Sequence, residues 1–148
     1  MLPLNYWIVV ACTAFVVVAA VTVHYEGLRI MSDKIRPAIG GERPMIVLEI
    51  LWLMLLHITE IWLFAFTYYA LISVGGFGQF DGVAVLGFLD CVYFSATVFT
   101  TLGFGDIVPS GPIRFVTGTE AVAGLTLITW SASYTFIEMG KTWHERGE

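Results

Sequence analysis

The sequence predicts an all-α integral membrane protein with three transmembrane helices, plus a re-entrant helix and loop that enter the membrane without crossing it. Composition is the first observation: 57% of the residues are hydrophobic and only 13% are charged, against about 45–50% and about 25% in soluble domains. The second is that apolar residues gather in runs of about the 20 residues that a bilayer-crossing helix needs. The third is a glycine-containing segment, TTLGFGD at residues 100–106, between two such runs.

The first predicted transmembrane helix occupies residues 1–24, where residues 4–23 form an uninterrupted apolar run. No Lys or Arg precedes the run and no small-residue cleavage site follows it, so we interpret it as a retained helix rather than a signal peptide. Residues 25–44 are polar with apolar residues at helical spacing. They predict a cytoplasmic amphipathic linker on the membrane surface, or else a plain solvated linker.

The remaining elements follow from hydropathy and turn residues. An outer helix is predicted over residues 45–74, with aromatic residues concentrated toward its end as in interface belts. Residues 75–82 form a turn-rich loop. An inner helix is predicted over residues 112–139, and residues 141–148 form a short cytoplasmic tail.

The distribution of basic residues predicts the topology. Six of the seven Lys and Arg residues fall in the 25–44 linker or after the inner helix, and placing both on the cytoplasmic side of the cell membrane puts the N-terminus outside and the C-terminus inside. Residues 83–106 then begin and end outside, so they form a re-entrant hairpin with a helix at about 88–100 and a loop at 101–106. Such a hairpin is tolerated only where protein buries it or where it lines a water-filled cavity.

The glycines of the loop make its backbone available to an ion. Gly103 and Gly105 can adopt positive φ without a Cβ penalty, so successive carbonyls can point at one axis and replace the hydration shell of an ion. The Leu102 and Phe104 side chains can pack behind the carbonyls, and the hydroxyl of Thr101 can add one more oxygen.

These residues carry a family resemblance. TTLGFGD resembles the potassium-channel signature TVGYG, with Leu for Val and Phe for Tyr, and YFSATVFTT at 93–101 resembles its pore helix. Arg114 matches the basic residue at the start of the inner helix. The resemblance to small bacterial potassium channels of the two-helix pore-loop class covers residues 45–140, the pore domain, and leaves the N-terminal helix as an addition.

The resemblance implies a homotetramer in the lipid bilayer around a central pore, with K⁺ as the transported ion and no other cofactor. The selectivity filter would be residues 101–105, with K⁺ held at Thr101, Leu102, Gly103 and Phe104. Asp106 would lie at the outer mouth, Thr97 and Thr100 would support the filter, and Gly124 would be a gating hinge. Some members have Glu at the position of Thr97, so Asp106 needs another partner, or only water.

Among the ionisable residues of the predicted membrane helices, His57, Glu60 and Glu120 lie away from the helix ends. Intramembrane charges usually face the bundle interior and mark function. These residues would form a hydrogen-bonded network behind the pore helix, or titrate and gate the pore, or bind a metal, although no fourth ligand is evident. Neutral, protonated side chains without a role are the remaining alternative.

The sequence therefore predicts a potassium-selective channel. The alternatives are a weakly selective cation channel, and a non-conducting membrane scaffold or accessory subunit with a vestigial pore loop. An enzyme is not expected, because no nucleophile–base pair and no HExxH motif are present. Nucleic acid is not an expected partner, because the net charge is −5 and no basic patch is present.

Overall fold

The computed structural model describes residues 3–38 and 42–144. Within them the chain forms four α-helices: α1 (Leu4–Ile30), α2 (Glu42–Val74), α3 (Phe88–Phe99) and α4 (Arg114–His144). Residues 39–41 of the predicted linker and 145–148 of the predicted tail lie outside the described residues. The prediction of an all-α membrane fold is confirmed, since α1 and α2 are long and apolar enough to cross a bilayer.

The segment after the first apolar run differs from the predicted surface linker. Helix α1 continues to Ile30, six residues past the predicted boundary, and a π-helical turn (Met31–Ile35) and a 3₁₀ turn (Arg36–Ala38) follow it directly. The reason is burial: Leu28 and Met31 face inward, and Leu28 packs with Leu53 and Leu56 of α2. This part of the chain is thus packed against the bundle.

The helices pack around one apolar core. Helix α1 lies against α2 and α4, and α3 is held between α2 and α4. Helix α4 has 31 residues, which is long enough to cross a membrane, but Thr, Ser and Glu punctuate its apolar residues. Large buried side chains from α2, α3 and α4 meet small ones from α1 in this core: Val9, Val16, Ala20, Phe64, Tyr68, Phe94, Phe99, Val116 and Leu127.

A short β-ribbon, not predicted from the sequence, closes one end of the bundle. Strand β1 (Gln79–Asp81) lies in the predicted turn-rich loop and pairs antiparallel with β2 (Val108–Ser110). Phe80 of β1 is buried against the rings of Tyr68 and Phe94. Strand β1 precedes α3 and β2 follows the glycine loop, so the segment between them begins and ends at the same end of the bundle. We call this the filter end, after the predicted filter.

Helix α1 also begins at the filter end. The side-chain amide of Asn5 donates to the carbonyl oxygen of Gly76 at 2.8 Å. At the opposite end, the hydroxyls of Ser32 and Tyr134 are 2.8 Å apart, and Arg36 forms an ion pair with Glu138. The chain therefore runs away from the filter end in α1 and α4 and toward it in α2.

Candidate ion-conducting site

The loop that follows α3 has an alternating backbone. Thr101, Gly103 and Gly105 have φ of 59°, 54° and 80°, whereas Leu102 and Phe104 between them do not have positive φ. Carbonyls of a regular strand point alternately to opposite sides, but alternation of right- and left-handed conformations turns successive peptide units the same way. Thr101 is the one non-glycine residue of the described chain with positive φ, at a strain of about 1–3 kcal/mol.

The loop and one stripe of α4 are exposed on the single chain. All of residues 101–106 are exposed, including 58% of Leu102 and 65% of Phe104. On α4, the hydroxyls of Thr126, Thr129 and Ser133 are also exposed, and each donates to the carbonyl four residues earlier in its own helix. Within the described residues these hydroxyls thus donate inside α4 and to no other helix.

Helix α3 braces the loop by three hydrogen bonds. The backbone N–H groups of Thr101 and Gly103 donate to the carbonyls of Val98 and Thr97 at 2.9 and 3.1 Å. The phenol of Tyr93 donates to Asp106 Oδ2 at 2.8 Å. Tyr93 is therefore the partner that the sequence did not assign to Asp106, and this hydrogen bond raises the pKa of the Tyr93 phenol above its ordinary value.

Neither of the two threonines expected to support the filter uses its hydroxyl for this purpose. The buried hydroxyl of Thr97 donates to the carbonyl of Phe94 at 2.8 Å, so Thr97 supports the loop only through its carbonyl oxygen. The hydroxyl of Thr100 donates to the carbonyl of Ala96 at 2.7 Å. Neither hydroxyl bonds to Asp106, because both side chains are short and each hydroxyl donates to a carbonyl in the preceding turn of α3.

Gly124 lies where α4 passes the end of α3. A Cβ at this position would collide with the carbonyl oxygen of Phe99 and come within 2.9 Å of its Cα. Helix α4 is unbroken through Gly124. Close approach of two backbones thus explains the glycine, and a gating hinge at this position stays a prediction.

Comparison with known families agrees with this arrangement. A family described as an ion channel matches residues 43–141, which include α2, α3, the glycine loop and nearly all of α4. The chain belongs to this ion channel family. It is a potassium-channel-like protein in which α1 lies outside the matched range. No curated protein and no solved structure matches the chain.

One buried polar cluster in this channel protein surrounds Glu120. Its carboxyl oxygens are 2.6 Å from the phenol of Tyr68 and 2.5 Å from the hydroxyl of Ser95. Ser95 is also 2.8 Å from the carbonyl oxygen of Ile61. One serine proton cannot serve both acceptors, so the cluster is fully bonded when Glu120 is protonated and donates to Ser95, which donates to Ile61. This cluster joins α2, α3 and α4.

The second cluster corrects the grouping made from the sequence. His57 and Glu60 do not contact Glu120; they meet His24 of α1 and Ser131 of α4. Glu60 Oε1 is 2.8 Å from His24 Nδ1, and Oε2 is 3.0 Å from His57 Nδ1. Ser131 Oγ is 3.4 and 3.1 Å from the Nε2 atoms of the two rings.

Sequence reasoning missed the partners of both clusters. His24 ends the first apolar run, Tyr68 and Ser95 interrupt other apolar segments, and Ser131 lies in the inner helix. A polar side chain inside a membrane helix is itself a signal that it has a buried partner. Which partner it has depends on how α1, α2 and α4 face one another, and hydropathy does not specify that.

Proposed function

We propose that the chain forms a potassium-selective channel in the cell membrane as a homotetramer, and that K⁺ passes through a filter made by residues 101–105. The alternating backbone of Thr101, Gly103 and Gly105 carries this proposal. One chain supplies a single strand of carbonyls, and K⁺ filters are built from four such loops around one axis. The exposed loop and α4 stripe supply the surface that would face the axis.

Each part of the loop has a physical role in this mechanism. The carbonyl oxygens of Thr101, Leu102, Gly103 and Phe104, with the Thr101 hydroxyl, replace the hydration shell of K⁺. The C-terminal end of α3 directs its partial negative charge toward a cation in the cavity below. Asp106, held by Tyr93, attracts cations at the outer mouth.

The filter end faces outward in this proposal. Arg29, Lys34 and Arg36 lie at the opposite end of the bundle, and an excess of Lys and Arg marks the cytoplasmic side. The N-terminus is then outside and the C-terminus cytoplasmic. No cofactor beyond the transported ion is required.

Tracer flux into liposomes that contain the purified protein tests the proposal by comparing K⁺ with Na⁺. We expect K⁺ flux well above Na⁺ flux, and loss of K⁺ flux in Gly103→Ala, because alanine at φ 54° costs about 1–2 kcal/mol. Gly75→Ala is the matched control: Gly75 also has positive φ and open space around it, but it lies outside the filter.

The other outcomes identify the alternatives. Equal K⁺ and Na⁺ fluxes that depend on Gly103 would indicate a weakly selective cation channel. Absence of flux from a correctly assembled protein would indicate a non-conducting scaffold or accessory subunit. Equal losses in Gly103→Ala and Gly75→Ala would show that the effect is not specific to the filter.

A further inference from the structure

The cluster of His24, His57 and Glu60 has the composition of a metal site. It brings two imidazoles and one carboxylate together from α1 and α2, with one ligand atom of each within 4.8 Å of the others. The side chains of His24 and Glu60 are fully buried, and that of His57 is 20% exposed. Two histidines and one glutamate with an open fourth position form a ligand set of zinc proteins.

Hydrogen-bond counting shows what a metal would complete. With Glu60 as a carboxylate, which only accepts, both Nδ1 atoms carry protons that point at it when no metal is bound. Both Nε2 atoms then need a donor, but the hydroxyl of Ser131 has one proton and faces both of them. With a carboxylate and two neutral rings, one Nε2 atom has no donor, so every contact is satisfied without a metal only when the cluster holds one further proton, on a ring or on Glu60.

We propose that His24, His57 and Glu60 bind one divalent transition-metal ion of the Zn²⁺ class per chain. The ion would replace the two Nδ1 protons and bind both Nδ1 atoms and the Glu60 carboxylate. Ligand atoms around tetrahedral Zn²⁺ are ~3.3 Å apart. The observed Nδ1–Oε distances of 2.8 and 3.0 Å differ from this spacing by only a few tenths of an ångström, and one ligand atom of each residue lies within 4.8 Å of the others.

Ser131 completes the arrangement as an acceptor. With the ion on the Nδ1 atoms, both Nε2 atoms carry protons, and the two lone pairs of Ser131 Oγ can accept both of them. Metal-bound histidines normally donate their other ring N–H to such a partner, which fixes the ring orientation. With the ion bound, this one serine satisfies both rings and the cluster needs no further proton.

The site has an access route and a structural consequence. Its partly exposed ring, His57, lines a groove of about 490 Å³ between α2 and α4 together with Ser131. The ligands come from α1 and α2, and their common acceptor lies on α4, seven residues beyond Gly124. A bound ion would therefore connect α1 and the inner helix to α2. This proposal does not depend on K⁺ conduction.

The test is metal binding by the full-length protein in detergent, stripped with a chelator and titrated with Zn²⁺ by calorimetry and with Co²⁺ by visible absorption. We expect one ion per chain. Ser131→Ala should weaken binding by the about 10–100-fold that loss of an outer-shell partner costs, and His24→Ala and His57→Ala should each weaken it by more.

Two controls separate this site from nonspecific effects. His144→Ala removes the third histidine of the chain and should leave affinity unchanged. Glu120→Gln removes a buried carboxyl from the other cluster and should also leave it unchanged, whereas Glu60→Gln should weaken it. Size-exclusion chromatography checks the assembly of each variant, and if His24→Ala does not assemble, Glu60→Gln and His57→Ala decide.

Three results would overturn the proposal: no saturable Zn²⁺ or Co²⁺ binding by the wild-type protein, affinity unchanged in Glu60→Gln and His57→Ala, or affinity lost in His144→Ala. Flux measurements are not part of this test. A protein that binds no metal but conducts K⁺ refutes the metal site alone, and one that binds metal but conducts no ion refutes the channel function alone.

Discussion

Two of the buried glutamates of this protein have chemically different neighbours. Glu120 is faced by the hydroxyls of Tyr68 and Ser95, whereas Glu60 is faced by the imidazoles of His24 and His57. A hydroxyl can donate only one proton, whereas an imidazole can donate to the carboxyl group or accept from it. A residue type inside a membrane helix thus acquires its chemistry from side chains of other helices.

Glu120→Gln and Glu120→Ala should differ in stability. A glutamine can donate to Ser95 through its amide and accept from Tyr68 through its carbonyl, as protonated Glu120 does. Alanine removes both hydrogen bonds, at about 0.5–1.5 kcal/mol each, although Ser95 can still donate to Ile61 and Tyr68 to Thr117. We expect the thermal unfolding temperature of Glu120→Gln to stay near the wild-type value and that of Glu120→Ala to fall. Equal destabilisation by both substitutions would show that Glu120 is ionised.

Tyr93→Phe should weaken the outer mouth of the filter. The substitution removes the hydrogen bond to Asp106 and keeps the ring, so we expect K⁺ flux that declines faster and discriminates less against Na⁺. Tyr69→Phe is the matched control, because the Tyr69 ring packs on Phe88 and its hydroxyl has no hydrogen bond within the described residues. Identical flux in the two variants would exclude a role for the Tyr93 hydroxyl.

The hydrogen bond between Tyr93 and Asp106 also predicts how the effect of Tyr93→Phe depends on pH. Because the pKa of Tyr93 is raised, its phenol stays protonated below the ordinary value of about 10, and the contact contributes fully there. The contribution is lost as pH rises through the raised pKa. We therefore expect the difference between wild type and Tyr93→Phe to stay constant at neutral pH and to disappear only in strongly alkaline solution.

At the scale of elements, α1 is an integral part of the bundle although the family match begins at residue 43. It contributes Val9, Val16 and Ala20 to the common core and the histidine that contacts Glu60. The turns that follow it are tied to α4 by the Ser32–Tyr134 hydrogen bond and the Arg36–Glu138 ion pair.

The crossing of α3 and α4 predicts a contrast between two glycines. Gly124→Ala should push α4 away from the carbonyl of Phe99, so we expect a lower thermal unfolding temperature and reduced flux. Gly118, also in α4, has open space around it, and Gly118→Ala should be neutral or stabilise the helix by up to about 1 kcal/mol. If Gly124→Ala and Gly118→Ala have the same stability and flux, the close approach of α4 to Phe99 is not required for either property.

At the scale of the whole molecule, the proposed filter exists only in the assembly, which makes assembly and ion binding interdependent. An ion that binds the folded tetramer and not the unfolded chain raises the apparent stability. We expect the tetramer to dissociate at a higher temperature in K⁺ than in Na⁺, with the difference lost in Gly103→Ala and kept in Gly75→Ala. Equal dissociation temperatures in the wild-type protein would contradict K⁺ binding at the filter.

The sequence by itself determined the membrane fold and the position of the glycine loop. Long apolar runs predict helices because a bilayer offers no hydrogen-bond partner to a free backbone group. The glycines at 103 and 105 predict positive φ because glycine lacks a Cβ. Both are local properties of the chain, so a single sequence contains them.

Tertiary structure alone decided what supports the loop and how the buried polar residues are grouped. Tyr93 bonds to Asp106. Glu60 contacts His24 and not Glu120, and the rings of His24 and His57 stack although they belong to different helices. The continuation of α1 past residue 24 has the same origin, since Leu28 is helical and buried against residues of α2. These contacts depend on the rotation and depth of each helix relative to its neighbours. The packing of whole helix faces determines both, and the periodicity along one helix specifies neither.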